Sequence, residues 1–203
     1  MRYDTILEDI FGQKVKLKIL RYLVSNPEGK SARGIAAASD VNHWQCSKTL
    51  KALHASGIIS LKLTGNNHIY ALNKSAYLVK EIIEPLFSKE KEYLGNMLKS
   101  SKTLSSKNVE SVSLFGSTAR GENSSESDVD LFVVVKDGKE KVTEQFDSEK
   151  QALRTEFGLK VSPYYVTEKE LKNRFSQKDS LIKEVVRDYI TIKGKTIGEL
   201  LSK

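Results

Sequence analysis

Two apolar runs that bracket a Gly-Ser pair and an Asp-x-Asp pair constrain this chain more than any other feature. The first run, VESVSLF at residues 109–115, leads directly into Gly116 and Ser117. The second run, VDLFVVV at residues 129–135, begins within the pair Asp128 and Asp130. Short apolar runs rich in β-branched residues are typical of buried strands. Two strands are therefore expected, with polar chemistry where one ends and the other begins.

The polar residues between these runs suit a bound phosphate and a cation. Gly116 lets the backbone approach a phosphate closely, and Ser117 adds a hydroxyl where a helix is expected to start and where free amide groups favour anions. Asp128 and Asp130 are two apart on a strand, so their carboxylates project from one face. Hard divalent cations prefer such oxygen ligands. Arg120 is a further candidate for holding phosphates.

A purely structural interpretation treats Asp128 and Asp130 as an acidic turn entering a strand and Gly116 as a tight bend. Two carboxylates ahead of the apolar residues 131–135 would repel each other unless a cation joined them, which makes this interpretation awkward. The pattern therefore predicts that the pair binds Mg²⁺ or Mn²⁺ together with a nucleoside triphosphate, ATP being the first candidate.

This segment resembles the nucleotidyltransferase superfamily that includes DNA polymerase beta, and specifically its minimal nucleotidyltransferase branch. The shared pattern is an apolar strand, Gly-Ser, a basic turn and then Ser-Asp-x-Asp-Leu, and the matching residues are Gly116, Ser117, Arg120, Gly121, Ser127, Asp128, Asp130 and Leu131. The resemblance continues more weakly to residue 190. It implies that Asp128 and Asp130 are catalytic, through a metal that aligns a hydroxyl for in-line attack on the α-phosphate with release of pyrophosphate.

One part of that pattern has no match. Members of the superfamily that catalyse transfer use a third carboxylate, on a later strand beside the Asp-x-Asp strand. The candidate strand, LKVSPYYV at residues 159–166, has Ser162 or Tyr164 at the expected position, and Glu156 and Glu168 lie outside it. Loss of this ligand is expected to leave nucleotide binding largely intact while removing much of the rate. Whether the chain is an enzyme stays open at this point.

The first half of the chain is more basic than the second. Residues 1–75 hold 11 Lys and Arg against 5 Asp and Glu, whereas residues 108–203 hold 16 against 17. Such asymmetry favours a polyanionic partner for the basic half, although a mildly basic solvated surface is the alternative. Helical periodicity is found at residues 10–24, 31–38 and 43–57, with Ser31 a candidate cap for the second of these helices, and a β-hairpin pattern follows at residues 58–73, around Gly65-Asn66-Asn67.

Three helices and a hairpin resemble the winged helix-turn-helix of prokaryotic transcriptional regulators, over residues 10–73. The resemblance implies that the third helix enters the major groove of double-stranded DNA. The predicted DNA-binding residues are Asn42, His43, Trp44, Gln45, Lys48, Lys51 and, in the wing, Lys62 and Asn67. Gln45 suits an adenine edge, and the lysines suit phosphates. For Trp44 a packing role is equally open, and Cys46 is expected to be a small core residue.

These signals predict a two-domain protein of mixed α+β and α/β class. Residues 1–75 form the winged helix, residues 76–107 a helical connector, and residues 108–203 a minimal nucleotidyltransferase-like domain with a mixed sheet and flanking helices at 139–157 and 167–190. In the connector, Pro85 is expected to kink a helix at 76–99, and residues 100–107 are expected to be a linker. The helix is a candidate homodimer seam, or alternatively packs on its own domains.

Several classes of protein are disfavoured. No apolar run approaches the about 20 residues that span a bilayer, and the first residues carry acids where a signal peptide would be apolar, so a cytoplasmic protein without a membrane partner is expected. The leading hypothesis is a DNA-binding transcriptional regulator that binds a nucleoside triphosphate with Mg²⁺. The alternatives are an active nucleotidyltransferase acting on a protein, nucleic-acid or small-molecule hydroxyl, and a non-enzymatic interaction module.

Overall fold

The computed structural model describes residues 5–64, 67–120 and 128–202. The chain divides into two compact units, residues 1–91 and 92–203, and each is described by itself. None of the described helices combines the length and the apolar character needed to cross a bilayer.

Among its described residues, the first unit has four helices before the hairpin. They are α1 (Ile6–Phe11), α2 (Lys14–Ser25), α3 (Ala32–Ala38) and α4 (His43–Ala55). The sequence predicted one helix over residues 10–24, and this is wrong because the chain turns extended at Gln13. A side chain at Gly12 would lie 2.4 Å from the Glu8 carbonyl oxygen, so only glycine fits the end of α1.

Two side chains cap the helices of the predicted helix-turn-helix. The hydroxyl of Ser31 accepts a hydrogen bond from the Gly34 amide, as its predicted capping role requires. The Asn42 side-chain oxygen accepts from the amides of Trp44 and Gln45, at 2.9 and 3.4 Å. Both caps satisfy amide groups that the first turn of a helix leaves without partners, and they fix where α3 and α4 begin.

A three-stranded antiparallel sheet completes the winged helix. Its strands are β1 (Lys30–Ser31), β2 (Ile59–Thr64) and β3 (Asn67–Leu72), in the order β1-β3-β2. The pairing of β2 with β3 runs from Ile59 opposite Leu72 to Thr64 opposite Asn67 and confirms the predicted strands of the hairpin. The turn residues Gly65 and Asn66 lie outside the described residues.

The core of the first unit is formed mainly by α2, α3 and α4 and by the beginning of β2. Its fully buried members include Ile19, Leu20, Leu23, Ile35, Cys46, Leu50 and Leu53. Cys46 is therefore a core residue, as expected, and burial raises the pKa of its thiol to about 11. A protonated, buried thiol of this kind is chemically inert.

The predicted connector is not a separate element. A π-helical turn at Val79–Ile83 continues directly into α5 (Glu84–Ser100), with Pro85 as the second residue of α5. Ile83 and Phe87 are buried in the core of the first unit, whereas Met97 and Leu98 belong to a core of the second.

The predicted linker at residues 100–107 is also wrong. It contains the short helix α6 (Lys102–Ser105), which the Ser101 hydroxyl caps. Ser101 and Thr103 are buried and donate hydrogen bonds from their hydroxyls to the Glu149 carboxylate, at 2.7 and 2.9 Å. Leu104 is fully buried. The sequence pattern indicates a linker here because Glu149, the partner of Ser101 and Thr103, is distant in the sequence.

The second unit is built on a four-stranded sheet. The strands are β4 (Val109–Phe115), β5 (Val129–Val135), β6 (Val161–Thr167) and β7 (Tyr189–Gly194), in the order β6-β5-β4-β7. The β5–β6 pair is parallel, and the other two pairs are antiparallel. The helices are α7 (Gly116–Arg120), α8 (Lys139–Phe157), α9 (Glu168–Ser176), α10 (Ser180–Arg187) and α11 (Ile197–Leu201). This is the mixed sheet with flanking helices that the sequence predicted.

The single helix predicted at 167–190 is instead two helices followed by a strand. Lys178 adopts a left-handed conformation (φ 59°), and the side chain of Asp179 accepts a hydrogen bond from the Ile182 amide and starts α10. Strand β7 then begins at Tyr189. Because β7 pairs with β4, the part of the chain after α10 returns to the sheet and forms the edge strand beside β4.

Successive side chains of β5 alternate between two cores. Leu131, Val133 and Val135 pack in one cluster with residues of α5, α6 and α8, whereas Phe132 and Val134 pack in the other with residues of α9, α10 and α11. The period of two places Asp128 and Asp130 on the second face, the face that α10 covers.

Candidate functional site

The polar residues predicted from the sequence converge at one edge of the second sheet. Strand β4 ends there at Phe115, beside Tyr189 at the start of β7. The starts of β5 and β6 also lie there, since these strands are parallel and β5 is antiparallel to β4. The topology therefore brings together the end of one strand and the beginnings of three others.

Gly116 forms the turn between β4 and α7. It has a left-handed backbone conformation (φ 62°), which side chains other than glycine rarely adopt. A side-chain carbon placed on Gly116 would lie 3.9 Å from Glu184 Oε1 and 4.0 Å from Asp130 Oδ2. Gly116 is thus required by its backbone conformation, and its α carbon faces two carboxylates.

Asp128 and Asp130 open β5, with Asp128 exposed and Asp130 half-buried. The pKa of the Asp130 carboxyl is raised, first by burial and then by the negative charges of Asp128 and Glu184. The backbone N–H of Asp130 donates to the Thr118 hydroxyl at 3.5 Å, which ties β5 to α7. The site therefore concentrates negative charge in a partly desolvated place, which favours a cation.

Ser162 lies at the position where a third carboxylate was sought. It pairs with Asp130 in the parallel register of β5 and β6, and its hydroxyl donates a hydrogen bond to Asp128 Oδ2 at 2.8 Å. Glu156 accepts a hydrogen bond from Ser100, and Glu168 forms an ion pair with Lys172. Neither glutamate is brought to Asp128 and Asp130.

Glu184 is an acid near the pair that the sequence interpretation did not consider. It lies on α10, one residue before Val185, which is buried in the core beneath. The predicted helix at 167–190 covered this residue but gave no reason to place it at the site. The signal that was missed is the alternating β-branched run YITIKG at 189–194, which ends α10 and returns the chain to this edge.

Arg120 is held by an acid on the neighbouring element. Its guanidinium lies 3.6 Å from the carboxylate of Asp188, which also accepts a hydrogen bond from Arg187. Ser117, also on α7, is half-buried. The motif residues Gly121 and Ser127 lie outside the described residues.

The donor set fits a divalent cation of the magnesium type. Within residues 5–64, 67–120 and 128–202, no three His, Cys, Asp or Glu side chains are arranged to hold a metal ion. Mg²⁺, however, is usually held by one or two carboxylates and takes its remaining ligands from water and substrate phosphates. Asp128 and Asp130 satisfy that requirement, and they supply only oxygen ligands.

The predicted DNA-binding residues form an exposed surface on the first unit. All eight of the predicted residues have exposed side chains: Asn42, His43, Trp44, Gln45, Lys48, Lys51, Lys62 and Asn67. Trp44 is 68% exposed, so the packing role left open for it does not apply. The Lys48 ammonium lies 5.3 Å from the centre of the Trp44 ring. Asn42 has a second task, since its side chain caps α4.

A family model matches most of the second unit. Residues 96–192 match the family model described as "Nucleotidyltransferase domain". No curated relative matches the chain.

The similar solved structures include a transcriptional regulator and toxin-antitoxin proteins. A predicted DNA-binding transcriptional regulator from E. coli is 18% identical and covers 44% of this chain and 85% of its own, with a TM-score of 0.37. The toxin-antitoxin MntA-HpeT mutant is 13% identical and covers 54% and 78%, with a TM-score of 0.37. A toxin-antitoxin structure with AMP-PNP is 15% identical and covers 55% and 81%, with a TM-score of 0.34. Scores this low transfer no property to this chain.

The family match covers the Gly116 turn, both aspartates of β5 and all four strands of the sheet except the end of β7. Residues 96–192 are therefore similar to the nucleotidyltransferase domain family, in a chain whose first unit has a winged-helix fold.

Proposed function

We propose that the chain is a DNA-binding transcriptional regulator whose second unit binds a nucleoside triphosphate with Mg²⁺. The observation that carries the nucleotide site is the meeting of Gly116, Asp128 and Asp130 at one sheet edge, where the pKa of Asp130 is raised by burial and by neighbouring carboxylates. A bound cation relieves this repulsion. It also neutralises phosphate charge, which is the chemistry that Mg²⁺ supplies when bound.

The residues of the chain have separate tasks in this proposal. Asp128 and Asp130 hold the cation, and the Ser162 hydroxyl orients the Asp128 carboxylate through its hydrogen bond. Gly116 leaves room for a phosphate beside the two carboxylates, and Ser117 and Arg120 contribute donors. The Arg120–Asp188 pair keeps the guanidinium at this edge before nucleotide arrives.

Calorimetric titration with each nucleoside triphosphate, with and without Mg²⁺, tests the proposal. Binding should require Mg²⁺ and should be lost in the double variant Asp128→Asn/Asp130→Asn. The matched control is Asp137→Asn/Asp147→Asn, because both residues are exposed in the same unit and the charge change is the same. Binding that survives the first double variant, or that needs no metal, would contradict the proposal.

DNA binding is supported by the exposed basic face of the winged helix. Residues 1–75 carry a balance of +6, from 11 Lys and Arg against 5 Asp and Glu. The helix α4 presents Gln45, Lys48 and Lys51 to solvent, and an α-helix fits the major groove. Lys48→Gln should weaken binding to duplexes of any sequence, whereas Gln45→Ala should change the preference among sequences.

We also propose a homodimer formed through the helix predicted at 76–99. Most of the candidate seam is used within the units, since Val79, Ile83 and Phe87 are buried in the first core. Tyr77 and Leu86 stay exposed, at 74% and 46%. Sedimentation or light scattering measures the mass of the protein in solution. A monomeric mass at working concentrations would contradict the dimer and the two-fold DNA site that a dimer predicts.

Active nucleotidyl transfer is a second candidate function, and Glu184 is the observation that favours it. Glu184 is close enough to raise the pKa of Asp130, so it places an acid beside the pair from a helix rather than from the strand. Incorporation of labelled nucleotide into an acceptor, lost in Asp128→Asn/Asp130→Asn and reduced in Glu184→Gln, would establish it. Equal incorporation by Glu184→Gln and wild type would remove Glu184 from the reaction.

A further inference from the structure

A cleft lies beside α4 in the first unit, on the side that faces the beginning of α2. Its cavity volume is about 520 Å³. Trp44, Gln45 and Lys48 of α4 form one wall, and Lys14 and Lys16 of α2 stand on the other. The cleft is thus continuous with the proposed DNA-binding face but adds residues that the sequence did not assign to it.

The charges in this cleft have one sign. Three lysines line it, and none of the described residues that line it is acidic. The Lys16 ammonium donates a hydrogen bond to the Asp9 carbonyl oxygen, outside the lining of the cleft, and an ammonium has further N–H donors. Lys14 is exposed. Positive charge grouped in this way attracts a polyanion.

The dimensions of DNA explain how both walls can be used at once. The major groove is about 12 Å wide, close to the diameter of an α-helix with its side chains, so a helix in the groove has a sugar-phosphate backbone on each side. An element that stands beside α4, as α2 does, then meets one of these backbones. Lys48 lies against the Trp44 ring, which leaves that face less open to stacking by a free base.

We propose that this cleft receives one sugar-phosphate backbone of duplex DNA, with Lys14 and Lys16 as phosphate contacts. The inference rests on the proposed DNA binding and extends it from α4 and the wing to α2. A free nucleotide is the competing occupant, since the volume falls within the range of small-ligand sites.

The test is the salt dependence of duplex binding by the full chain, measured by fluorescence anisotropy of labelled DNA. Each phosphate contact contributes about 0.9 to the slope of log affinity against log salt concentration. Lys14→Gln/Lys16→Gln should therefore lower the slope by about 1.8, so that the wild type loses roughly tenfold more affinity than the variant between 50 and 200 mM salt. The loss should be similar for duplexes of different sequence.

Lys74→Gln/Lys80→Gln is the matched control, because both lysines are exposed in the same unit, lie outside the cleft and give the same charge change. Its slope should stay close to that of the wild type. An unchanged slope in the cleft variant, or an equal decrease in both variants, overturns the inference while DNA binding itself stands. Absence of duplex binding by the wild type overturns the proposed function as well.

Binding of a free nucleotide in this cleft would give a different experimental result. Trp44 is the single tryptophan of the chain, so its fluorescence reports on this cleft. A fluorescence change with ATP that disappears in Lys14→Gln/Lys16→Gln, without any change in the salt slope for DNA, shows a small-ligand site and overturns the inference.

Discussion

Ser162 donates a hydrogen bond from its hydroxyl to Oδ2 of Asp128 over 2.8 Å. This contact places an uncharged group at the position where catalytic members of the superfamily are expected to have an acid. The carboxylate pair is therefore oriented by β6 without receiving more negative charge from it. The consequences can be tested at both residues.

Replacing Ser162 with aspartate should make the stability of the second unit depend on Mg²⁺. Ser162→Asp puts a third carboxylate against Asp128 and Asp130, so we expect the metal-free protein to lose about 1 kcal/mol of stability through like-charge repulsion. Mg²⁺ should restore the loss. Thermal unfolding with and without Mg²⁺ measures both effects. The control is Ser162→Asn, which is similar in size but uncharged; if the two variants respond alike to Mg²⁺, the register does not bring residue 162 to the cation.

Replacing Asp130 with asparagine should stabilise the metal-free protein. Burial and the charges of Asp128 and Glu184 raise the pKa of Asp130 in the folded state, so its contribution to stability is present at acidic pH and is lost as pH rises through that raised pKa. At neutral pH, Asp130→Asn removes an ionised group that folding disfavours. We expect the unfolding temperature to rise by about 1–3 °C. Asp137→Asn, at an exposed residue, should have no such effect, and a lower unfolding temperature for Asp130→Asn contradicts the prediction.

The pH dependence of metal binding should follow from the same shift. A cation at Asp130 requires the ionised carboxylate, so Mg²⁺ affinity is expected to fall as pH decreases toward the raised pKa of Asp130. Calorimetric titration of Mg²⁺ with nucleotide at several pH values measures the decline. Glu184→Gln removes one cause of the raised pKa and should move the decline to lower pH. An identical pH profile in wild type and Glu184→Gln would show that Glu184 does not act on Asp130.

Removing the charge of Glu149 should loosen the start of the second unit. Its carboxylate accepts hydrogen bonds from the buried Ser101 and Thr103 side chains and from the Thr103 amide. Glu149→Gln weakens these charge-assisted bonds, at an expected cost of about 1–3 kcal/mol. Hydrogen exchange of the peptide covering residues 101–115 should accelerate accordingly. Glu144→Gln, exposed on the same helix, is the control, and unchanged exchange in Glu149→Gln would mean that Glu149 is not needed there.

If nucleotide binding controls DNA binding in this protein, the presence of nucleotide should change the affinity for duplex DNA. Coupling free energies of typical allosteric proteins correspond to about 5–150-fold changes, and the effect must be reciprocal. Duplex affinity measured with and without saturating MgATP should differ, and duplex DNA should change MgATP affinity by the same factor. Equal affinities in both arms would exclude the coupling and leave the two units with independent ligands.

Local signals in the sequence were enough to predict much of this structure. The apolar run of β5, the Gly116-Ser117 pair after β4 and the Ser31 cap all act over a few residues, and each appears where the pattern placed it. The sequence also shows that the strand at 159–166 has no acid, and it places Ser162 or Tyr164 at the position of the third carboxylate. In the structure, Ser162 pairs with Asp130.

The errors occurred where a distant partner decides the structure. The Ser and Thr residues at 100–107 have the composition of a linker, but Glu149 and the core around Leu104 hold them in place. The helix predicted at 167–190 includes Tyr189 and Ile190 at its end, whereas pairing with β4 makes these two residues the start of a strand. Glu184 could not be assigned to the site without that strand, because the strand determines where α10 ends.

Strand order also has a consequence during synthesis of the protein. Strand β4 is central in the sheet only after β7 has paired with it, and β7 follows it by most of the second unit. Until residues 189–194 have left the ribosome and paired, one backbone edge of β4 is open. Open strand edges invite pairing with other chains. A chain whose synthesis stalls before β7 would therefore expose the open edge of β4 to pairing with other chains.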